Sequence, residues 1–251
     1  MSTWRDFMTN AESELVPRTL RCAHEGNVLT CSTCNELMPT SFWKRMTWNR
    51  LTPEPDTYHV TTLTSCLARS YFERTLSAEE TVESAWSKLR GSLIHYVARS
   101  LGWSELRAKT TFELDDRTIT VVGYVDAYDP ETATIYDLKT TRFVNWQAEK
   151  GHIPRENHVA QVQCYYTLLE LYGIPVNRLV LIYVDDKNII AKQVPLGKRR
   201  EWMMERATLL HRALANSELP KPETGSACKY CPFTDACPQN DQVLRFPEII
   251  R

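Results

Sequence analysis

The sequence has little net charge and no apolar run long enough to cross a bilayer. Its 251 residues include 30 Lys and Arg against 31 Asp and Glu, which gives a net charge of −1. Because a transmembrane helix needs roughly 20 consecutive apolar residues, no membrane span is expected. The chain as a whole is not basic, so any contact with nucleic acid must rely on a local patch.

No internal repeat is seen, and no secretory leader is expected. The first residues, MSTWRDFMTN, lack the basic-then-apolar pattern of a signal peptide, so a cytoplasmic location is expected. In a reducing compartment, clustered cysteines more often bind metal than form disulfides, which bears on the eight cysteines of this chain. Hydrophobic residues make up 43% and charged residues 24%, values typical of a globular domain with a full core.

Hydrophobic periodicity predicts an α/β protein with a mixed sheet. The spacing predicts a helix over 81–102, followed by strands over 110–114, 119–129 and 133–141, a helix over 157–172, strands over 178–185 and 188–194, and a helix over 198–216. The apolar stripe predicted for the first helix consists of Trp86, Leu89, Leu93, Val97 and Leu101. A Pro-containing link at 51–56 separates an N-terminal extension, 1–56, from the main domain, 57–251.

Acidic residues are predicted to face each other across a hairpin. A turn at Pro130 and Glu131 places position 126 opposite 135 and position 124 opposite 137, so Asp126, Asp137 and Lys139 converge on one face. Adjacent carboxylates repel unless a proton or a cation lies between them, and oxygen ligands suit Mg²⁺ or Mn²⁺. The alternative is a surface hairpin with a solvated Asp–Lys pair.

Two helices contribute polar residues that suit the same site. His95 lies away from the predicted apolar stripe and offers a third metal ligand, although a lone histidine is usually structural or exposed. Gln161 and Tyr165 are four residues apart and therefore share a helix face, where they suit contacts with a phosphate or with the lysine. The alternative for this helix is an ordinary amphipathic segment with a tyrosine in the core.

Four motifs in this order resemble one nuclease branch. GSLIH (91–95), GYVD (123–126), DLK (137–139) and QVQCY (161–165) resemble the RecB-type branch of the PD-(D/E)XK nucleases. Within that branch the chain is most similar to the CRISPR-associated exonucleases, and next to the AddB-type repair nucleases. The resemblance implies a restriction-endonuclease-like core, in which a mixed sheet is flanked by helices.

The resemblance also implies roles for these residues. His95, Asp126, Asp137 and the Leu138 carbonyl would bind the divalent metal, Mg²⁺ or Mn²⁺. Lys139 would orient the attacking water or stabilise the developing charge, and Gln161 and Tyr165 would support the lysine and the DNA backbone.

Three cysteines cluster near the C-terminal end of the chain, and a fourth stands at the start of the domain. Cys228, Cys231 and Cys237 fall within ten residues, and Cys66 offers a fourth thiol. This one-plus-three arrangement resembles the iron–sulfur cluster of the same nuclease branch, where a [4Fe–4S] cluster links the two chain ends. Spacing alone also permits zinc, since four thiolates suit both.

A second set of metal-type residues lies in the N-terminal extension. Cys22, His24, Cys31 and Cys34 form a complete nitrogen and sulfur quartet for one Zn²⁺, and a small zinc knuckle is predicted. The alternative is a flexible extension with free thiols. The nearby stretch SFWKRMTWNR (41–50) suits stacking on bases or packing against the core.

The sequence therefore predicts a metal-dependent deoxyribonuclease. By resemblance, single-stranded DNA ends are the expected substrate, spacer acquisition in CRISPR adaptation the expected role, and a Cas-type integrase the expected partner. End processing in repair or recombination, a structure-specific or RNA-directed endonuclease, and a non-catalytic DNA-binding module remain alternatives.

Overall fold

The computed structural model describes residues 20–22, 24, 26–38, 54–76 and 80–239. The described helices are α1 (Ser32–Leu37), α2 (Val60–Leu63), α3 (Leu67–Thr75), α4 (Val82–Ser100), α5 (Val144–Glu149), α6 (Glu156–Leu171) and α7 (Arg200–Asn216). The described strands are β1 (Leu20–Arg21), β2 (Thr57–His59), β3 (Glu80–Thr81), β4 (Leu106–Leu114), β5 (Arg117–Val125), β6 (Ala127–Asp129), β7 (Thr134–Thr140), β8 (Arg178–Val184) and β9 (Ile189–Val194). A 3₁₀ helix follows at Ser226–Tyr230. The stretch 41–50 and the link residues 51–53 lie outside the described residues.

The main strands form two sheets that each mix parallel and antiparallel pairs. One has the order β2-β5-β4 and the other the order β6-β7-β8-β9. Within the second sheet, β7 runs parallel to β8, and α5 and α6 lie between them in the chain. The predicted α/β class, with mixed sheets flanked by helices, is confirmed. No helix of the described residues has the length and apolar character that a membrane span requires.

The strand predicted over 119–129 is interrupted at Asp126, and that prediction was wrong in this respect. Residue 126 is a bend between β5 and β6, and these two strands belong to different sheets. The bend is held by the Asp126 carboxylate, whose Oδ2 accepts the Leu138 N–H at 2.7 Å. The chain therefore changes sheets at the residue that supplies the second carboxylate of the predicted site.

The predicted register of the hairpin was wrong by two residues. Ala127 pairs with Tyr136, which brings Asp126 level with Asp137 instead of with residue 135. The turn is longer than expected, because Asp129 accepts bonds from Thr132 and from the Glu131 N–H, and Ala133 has a φ of +49°. A shift of two residues keeps every side chain on its face of the sheet. Asp126 and Asp137 consequently lie closer than the predicted register placed them.

Helix α6 forms much of the core against the sheets. It starts with Glu156, whose charge suits the positive end of the helix dipole, and the chain leaves it through Gly173, which has a φ of +70°. Residues 160–165 and 167–169 of the helix are buried. The fully buried Val162, Leu168 and Leu169 join apolar residues of the strands in one core. This packing fixes the helix that carries Gln161 and Tyr165.

The apolar stripe predicted for α4 is only partly buried. Leu89 packs against the cluster of Cys31 and Cys34, whereas Trp86, Val97 and Leu101 are exposed by 45%, 50% and 78% among the described residues. The helix turns the side that carries Gly91 and His95 towards β7 and the bend before β6. The stripe prediction was therefore wrong for Trp86, Val97 and Leu101, because α4 contacts β7 through a polar, glycine-containing face.

Candidate active site

Asp137 and Lys139 are placed by β7, which lies inside its sheet between β6 and β8. Because side chains alternate along a strand, both point to the same face, and Leu138 points to the other. The Asp137 side chain is 1% exposed and that of Lys139 is 17% exposed. Lys139 Nζ lies 2.8 Å from Asp137 Oδ2. The strand thus buries a carboxylate and places one cation beside it.

Asp126 stands next to this pair at the bend between the sheets. Its Oδ1 lies 3.4 Å from His95 Nδ1 on α4, while its Oδ2 accepts the Leu138 N–H. The hydrogen bond to Asp126 raises the pKa of His95 above its usual value. Since a strand residue directs its N–H and C=O to the same edge, the Leu138 carbonyl also faces the Asp126 side. That carbonyl remains a predicted ligand.

Gln161 connects the lysine, the buried carboxylate and the tyrosine. Its Oε1 accepts a bond from Lys139 Nζ at 3.0 Å, and its Nε2 donates to Asp137 Oδ1 at 3.2 Å. The same Nε2 lies 2.7 Å from the Tyr165 hydroxyl. The amide is 7% exposed, so these bonds form away from water. Gln161 therefore fixes the position of the ammonium group relative to Asp137.

Gly123 allows the Tyr165 ring to lie directly on β5. A Cβ at position 123 would lie 2.8 Å from Tyr165 Cδ1 and 3.0 Å from Leu168 Cδ1, closer than real side chains allow. By contrast, a Cβ at Gly91 would lie 3.4 Å from Thr140 Oγ1, an ordinary contact. The packing of the Tyr165 ring on β5 therefore requires glycine at position 123, whereas the contact between α4 and Thr140 leaves room for a side chain at position 91.

The burial and contacts of the Asp137 carboxylate show whether these residues suit a divalent metal ion. Its Oδ2 is fully buried, and apart from the Lys139 ammonium at 2.8 Å no donor of the described residues reaches it. Burial raises the pKa of Asp137 to about 6, although Lys139 opposes the shift. A buried carboxylate with one oxygen contacted by a single lysine, beside Asp126 and His95, matches the oxygen and nitrogen donors that divalent cations prefer. The residues present therefore fit the predicted ion.

A cavity of about 230 Å³ opens above these groups. Its lining includes His95, Asp126, Lys139, Gln161 and Tyr165. It also includes His59, Thr61 and Tyr124, which the sequence predictions did not name. The His59 and Tyr124 rings stack with centroids 5.8 Å apart. His59 belongs to the three-residue strand β2, and Thr61 belongs to the four-residue helix α2. Elements this short show no hydrophobic periodicity in the sequence.

Two of the C-terminal cysteines, Cys228 and Cys231, lie near Cys66 at the start of α3. Glu223 N–H lies 3.4 Å from Cys66 Sγ, and Cys228 Sγ lies 3.9 Å from Glu223 O. Burial raises the pKa of the Cys231 thiol, with smaller contributions from the neighbouring Cys228 and Cys66. Cys237 ends the same segment, where its N–H bonds to Thr234 O. The Phe233 ring packs on Phe72 of α3 with centroids 5.5 Å apart, which attaches this segment to the domain.

The N-terminal quartet comes together at one point. The ligand atoms of Cys22, His24, Cys31 and Cys34 all lie within 4.8 Å of one another. Within the described part of the chain, no other group of three or more His, Cys, Asp or Glu is as compact. The quartet therefore has the geometry to hold a metal ion.

A mixed-sheet α/β core with two acidic side chains and a lysine beside one strand is an arrangement typical of metal-dependent phosphodiester-cleaving enzymes. The particular family follows from comparison: the model of the PD-(D/E)XK nuclease superfamily matches residues 98–238, which is more than half of the chain. The chain belongs to this superfamily, whose members are generally nucleases that use divalent metal ions.

Solved structures show the same fold. Eleven chains match, among them the crystal structure of SSO0001, with a TM-score of 0.58 and 20% identity. That match covers 80% of this chain and 96% of the other. A comparison with curated proteins finds no match.

Replacing Gly123 with Ala is expected to destabilise the protein and loosen the site. The methyl group would push the Tyr165 ring off β5 and weaken its bond to Gln161, at a cost of about 1–3 kcal/mol for overpacking. Denaturant unfolding monitored by circular dichroism measures this loss. Gly91→Ala is the matched control, and helix propensity predicts that it stabilises by up to about 1 kcal/mol. Equal effects of the two substitutions would contradict the assigned role of Gly123.

Proposed function

We propose that the protein is a divalent-metal-dependent deoxyribonuclease that hydrolyses single-stranded DNA from its ends. The observation that carries the proposal is the buried Asp137, whose Oδ2 is contacted by the Lys139 ammonium at 2.8 Å and by no other donor of the described residues. Asp126 and Lys139 lie beside it under one cavity. A lone buried ion pair would need no second carboxylate and no opening to solvent, whereas metal-assisted hydrolysis of a phosphodiester uses both.

The metal-binding residues are His95, Asp126 and Asp137, together with the Leu138 carbonyl. A Mg²⁺ or Mn²⁺ ion held there would supply Lewis acidity to the scissile phosphate. Lys139 lies at the edge of the cavity, where its ammonium group can orient a water molecule or stabilise charge on the phosphate. Gln161 accepts from Lys139, and Tyr165 in turn contacts Gln161. These two residues keep the ammonium group in a fixed position during the reaction.

Exposed aromatic side chains beyond β7 support a single-stranded substrate. Phe143 is 72% exposed and Trp146 is 51% exposed, and both follow closely after Lys139 in the chain. Phe143 also has a φ of +57°, a conformation that costs free energy for a residue other than glycine. Unpaired bases stack on aromatic rings, whereas paired bases are already stacked in the duplex. An exposed and strained phenylalanine next to the catalytic strand fits this use.

The proposed biological role is trimming of DNA for spacer acquisition in CRISPR adaptation, with a Cas-type integrase as partner. This assignment rests on the resemblance of the four motifs to the CRISPR-associated exonucleases. End processing in repair is the alternative role for the same activity. A non-catalytic DNA-binding module is disfavoured, because Asp126, Asp137 and Lys139 are all present and adjacent.

A [4Fe–4S] cluster is proposed for Cys66, Cys228, Cys231 and Cys237. Cys66 and Cys228 both contact Glu223, and Cys231 is close enough to influence them electrostatically. A single zinc ion binds sulfur at about 2.3 Å and therefore draws its four sulfurs close together. These thiols do not form a group as compact as the N-terminal quartet, and the choice of a cluster over zinc rests on the resemblance to the iron–sulfur branch of these nucleases. Such a cluster would join α3 to the C-terminal segment.

Substitution of Asp137 or Lys139 is expected to lower the rate of cleavage strongly in protein that circular dichroism shows to be folded. Asp137→Asn and Lys139→Ala should each lower the rate on end-labelled single-stranded DNA with Mn²⁺ by roughly 10²–10⁴-fold, the usual effect of removing an electrostatic or proton-transfer group. Asp186→Asn and Lys187→Ala change an exposed pair of the same residue types on the β8–β9 turn, and they should retain full activity. Undiminished cleavage by both site variants would refute the catalytic assignment.

Removal of the exposed aromatic rings is expected to weaken binding of single strands more than binding of duplex. In an Asp137→Asn background, Phe143→Ala with Trp146→Ala should cost about 1–3 kcal/mol per lost base stack. Fluorescence anisotropy with a labelled oligonucleotide measures the dissociation constant. Trp86→Ala removes an exposed tryptophan more than two turns before His95 on α4 and serves as the control. Equal losses for single strand and duplex would argue against stacking.

The iron–sulfur proposal is tested by metal content and colour. Protein purified without oxygen should contain about four irons per chain and absorb visible light, as expected for a [4Fe–4S] cluster. Cys228→Ala should lose both properties and unfold at a lower temperature. Cys164→Ala removes a buried thiol of α6 outside both metal sets and should keep the colour. Colourless protein with two zinc ions per chain would show that the C-terminal thiols hold zinc instead.

A further inference from the structure

The N-terminal quartet has ligands from a short loop and the first turn of α1. Cys31 is the N-cap of α1, and its sulfur accepts the Cys34 N–H at 3.4 Å. His24 Nδ1 lies 3.6 Å from Cys34 Sγ. Cys31 is 0% exposed and Cys34 is 8% exposed. Two buried thiols that point at a histidine and a third thiol leave little room for anything except a small ion.

The loop that carries these ligands is ordered by its own polar contacts. Asn35 Nδ2 lies 3.1 Å from Val28 O and 2.8 Å from Cys31 O. Asn27 accepts the Cys31 N–H with its carbonyl oxygen at 2.9 Å. Gly26 has a φ of +85°, which allows the chain to turn between His24 and Cys31. The backbone is therefore shaped around the ligand atoms.

The chemistry of the donors identifies the ion. Three thiolates and one imidazole form a tetrahedral set that suits Zn²⁺, and four protein ligands leave no open position for a substrate. Carboxylates, which Mg²⁺ and Mn²⁺ prefer, do not belong to the set. The set also contains none of the residues of the candidate active site.

Within the described residues, the apolar cluster of this segment is small. Helix α1 has six residues, and the buried members of its cluster are Val28, Cys31 and Cys34 together with Ala85 of α4. Isolated helices of this length are not stable in water. Binding of a structural zinc ion supplies folding free energy directly, which would compensate for the small core.

We propose that Cys22, His24, Cys31 and Cys34 bind one structural Zn²⁺, and that this site attaches the N-terminal segment to the start of α4. Two contacts place the segment there. Ala85 packs into the cluster that contains Cys31 and Cys34, and β1 pairs in parallel with β3, which leads directly into α4. The same helix carries His95 of the candidate active site about three turns after Ala85.

Zinc content of the full-length protein tests the site. Mass spectrometric metal analysis should find one zinc ion per chain in the wild type and none in Cys31→Ser. Cys164→Ala and Cys228→Ala should each keep that zinc, which separates this site from the C-terminal cysteines. Cys22→His keeps four ligands and should retain zinc, whereas Cys22→Ala should not. Cys31 is buried, so Cys31→Ser also risks unfolding the segment. The comparison of Cys22→His with Cys22→Ala tests zinc binding at a less buried position.

Two measurements on the wild type do not depend on any variant. Cobalt substituted for zinc should give the thiolate charge-transfer absorption of a tetrahedral sulfur-rich site. Removal of zinc by a chelator should increase hydrogen exchange in 26–38 and 82–90 and leave α7 unchanged. The proposal would be overturned by any of three results. These are substoichiometric zinc in the wild type, zinc that is lost from Cys228→Ala but kept in Cys31→Ser, and hydrogen exchange that chelation does not change.

Discussion

The buried carboxylate of Asp137 is the constraint on which the rest of the site depends. A strand inside a sheet excludes water from this side chain, and an ionised carboxylate without water is costly unless cations or donors surround it. Lys139 supplies the charge and Gln161 supplies a donor to Oδ1. Apart from the Lys139 ammonium, no donor of the described residues reaches Oδ2. The protein thus buries a carboxylate that shares one lysine partner and one amide with a second carboxylate nearby, an arrangement that a purely structural ion pair would not require.

The positions of the other elements follow from this requirement. Gln161 reaches Asp137 only because α6 lies close to the sheet, and that closeness depends on the missing side chain at Gly123 under the Tyr165 ring. The second carboxylate, Asp126, is positioned by the bend at which the chain passes from one sheet to the other. Bonding of Asp126 to the Leu138 N–H ties that bend to β7. Backbone geometry, not side-chain length, therefore sets the distance between the two acidic residues.

Local patterns were sufficient for much of this fold, and contacts between distant elements account for the errors. The helix predicted over 157–172 and the strands after it agree with α6, β8 and β9 within about two residues, because their apolar periodicity is strong. The alternation rule placed Asp126, Asp137 and Lys139 on one face despite the wrong register, since an error of two residues preserves the face. The buried face of α4 could not be predicted, because packing against β7 overrides its apolar stripe. His59 and Thr61 reach the cavity from elements too short to show a period.

Helix α4 lies beside both proposed metal sites, and the two sites offer different donor atoms. Near its start, sulfur and imidazole donors are close enough to enclose an ion fully, which suits a structural role. Further along, His95 meets Asp126 beside a cavity, where hard oxygen donors and an opening suit a reacting phosphate. Trp86, Val97 and Leu101 of its apolar stripe are exposed, so burial of the whole stripe does not hold the helix in place. Its position rests on the packing of Leu89 and Ala85 against the N-terminal loop and on the contacts of Gly91 and His95 with Thr140 and Asp126, so the N-terminal loop is one of the elements that position the helix carrying His95.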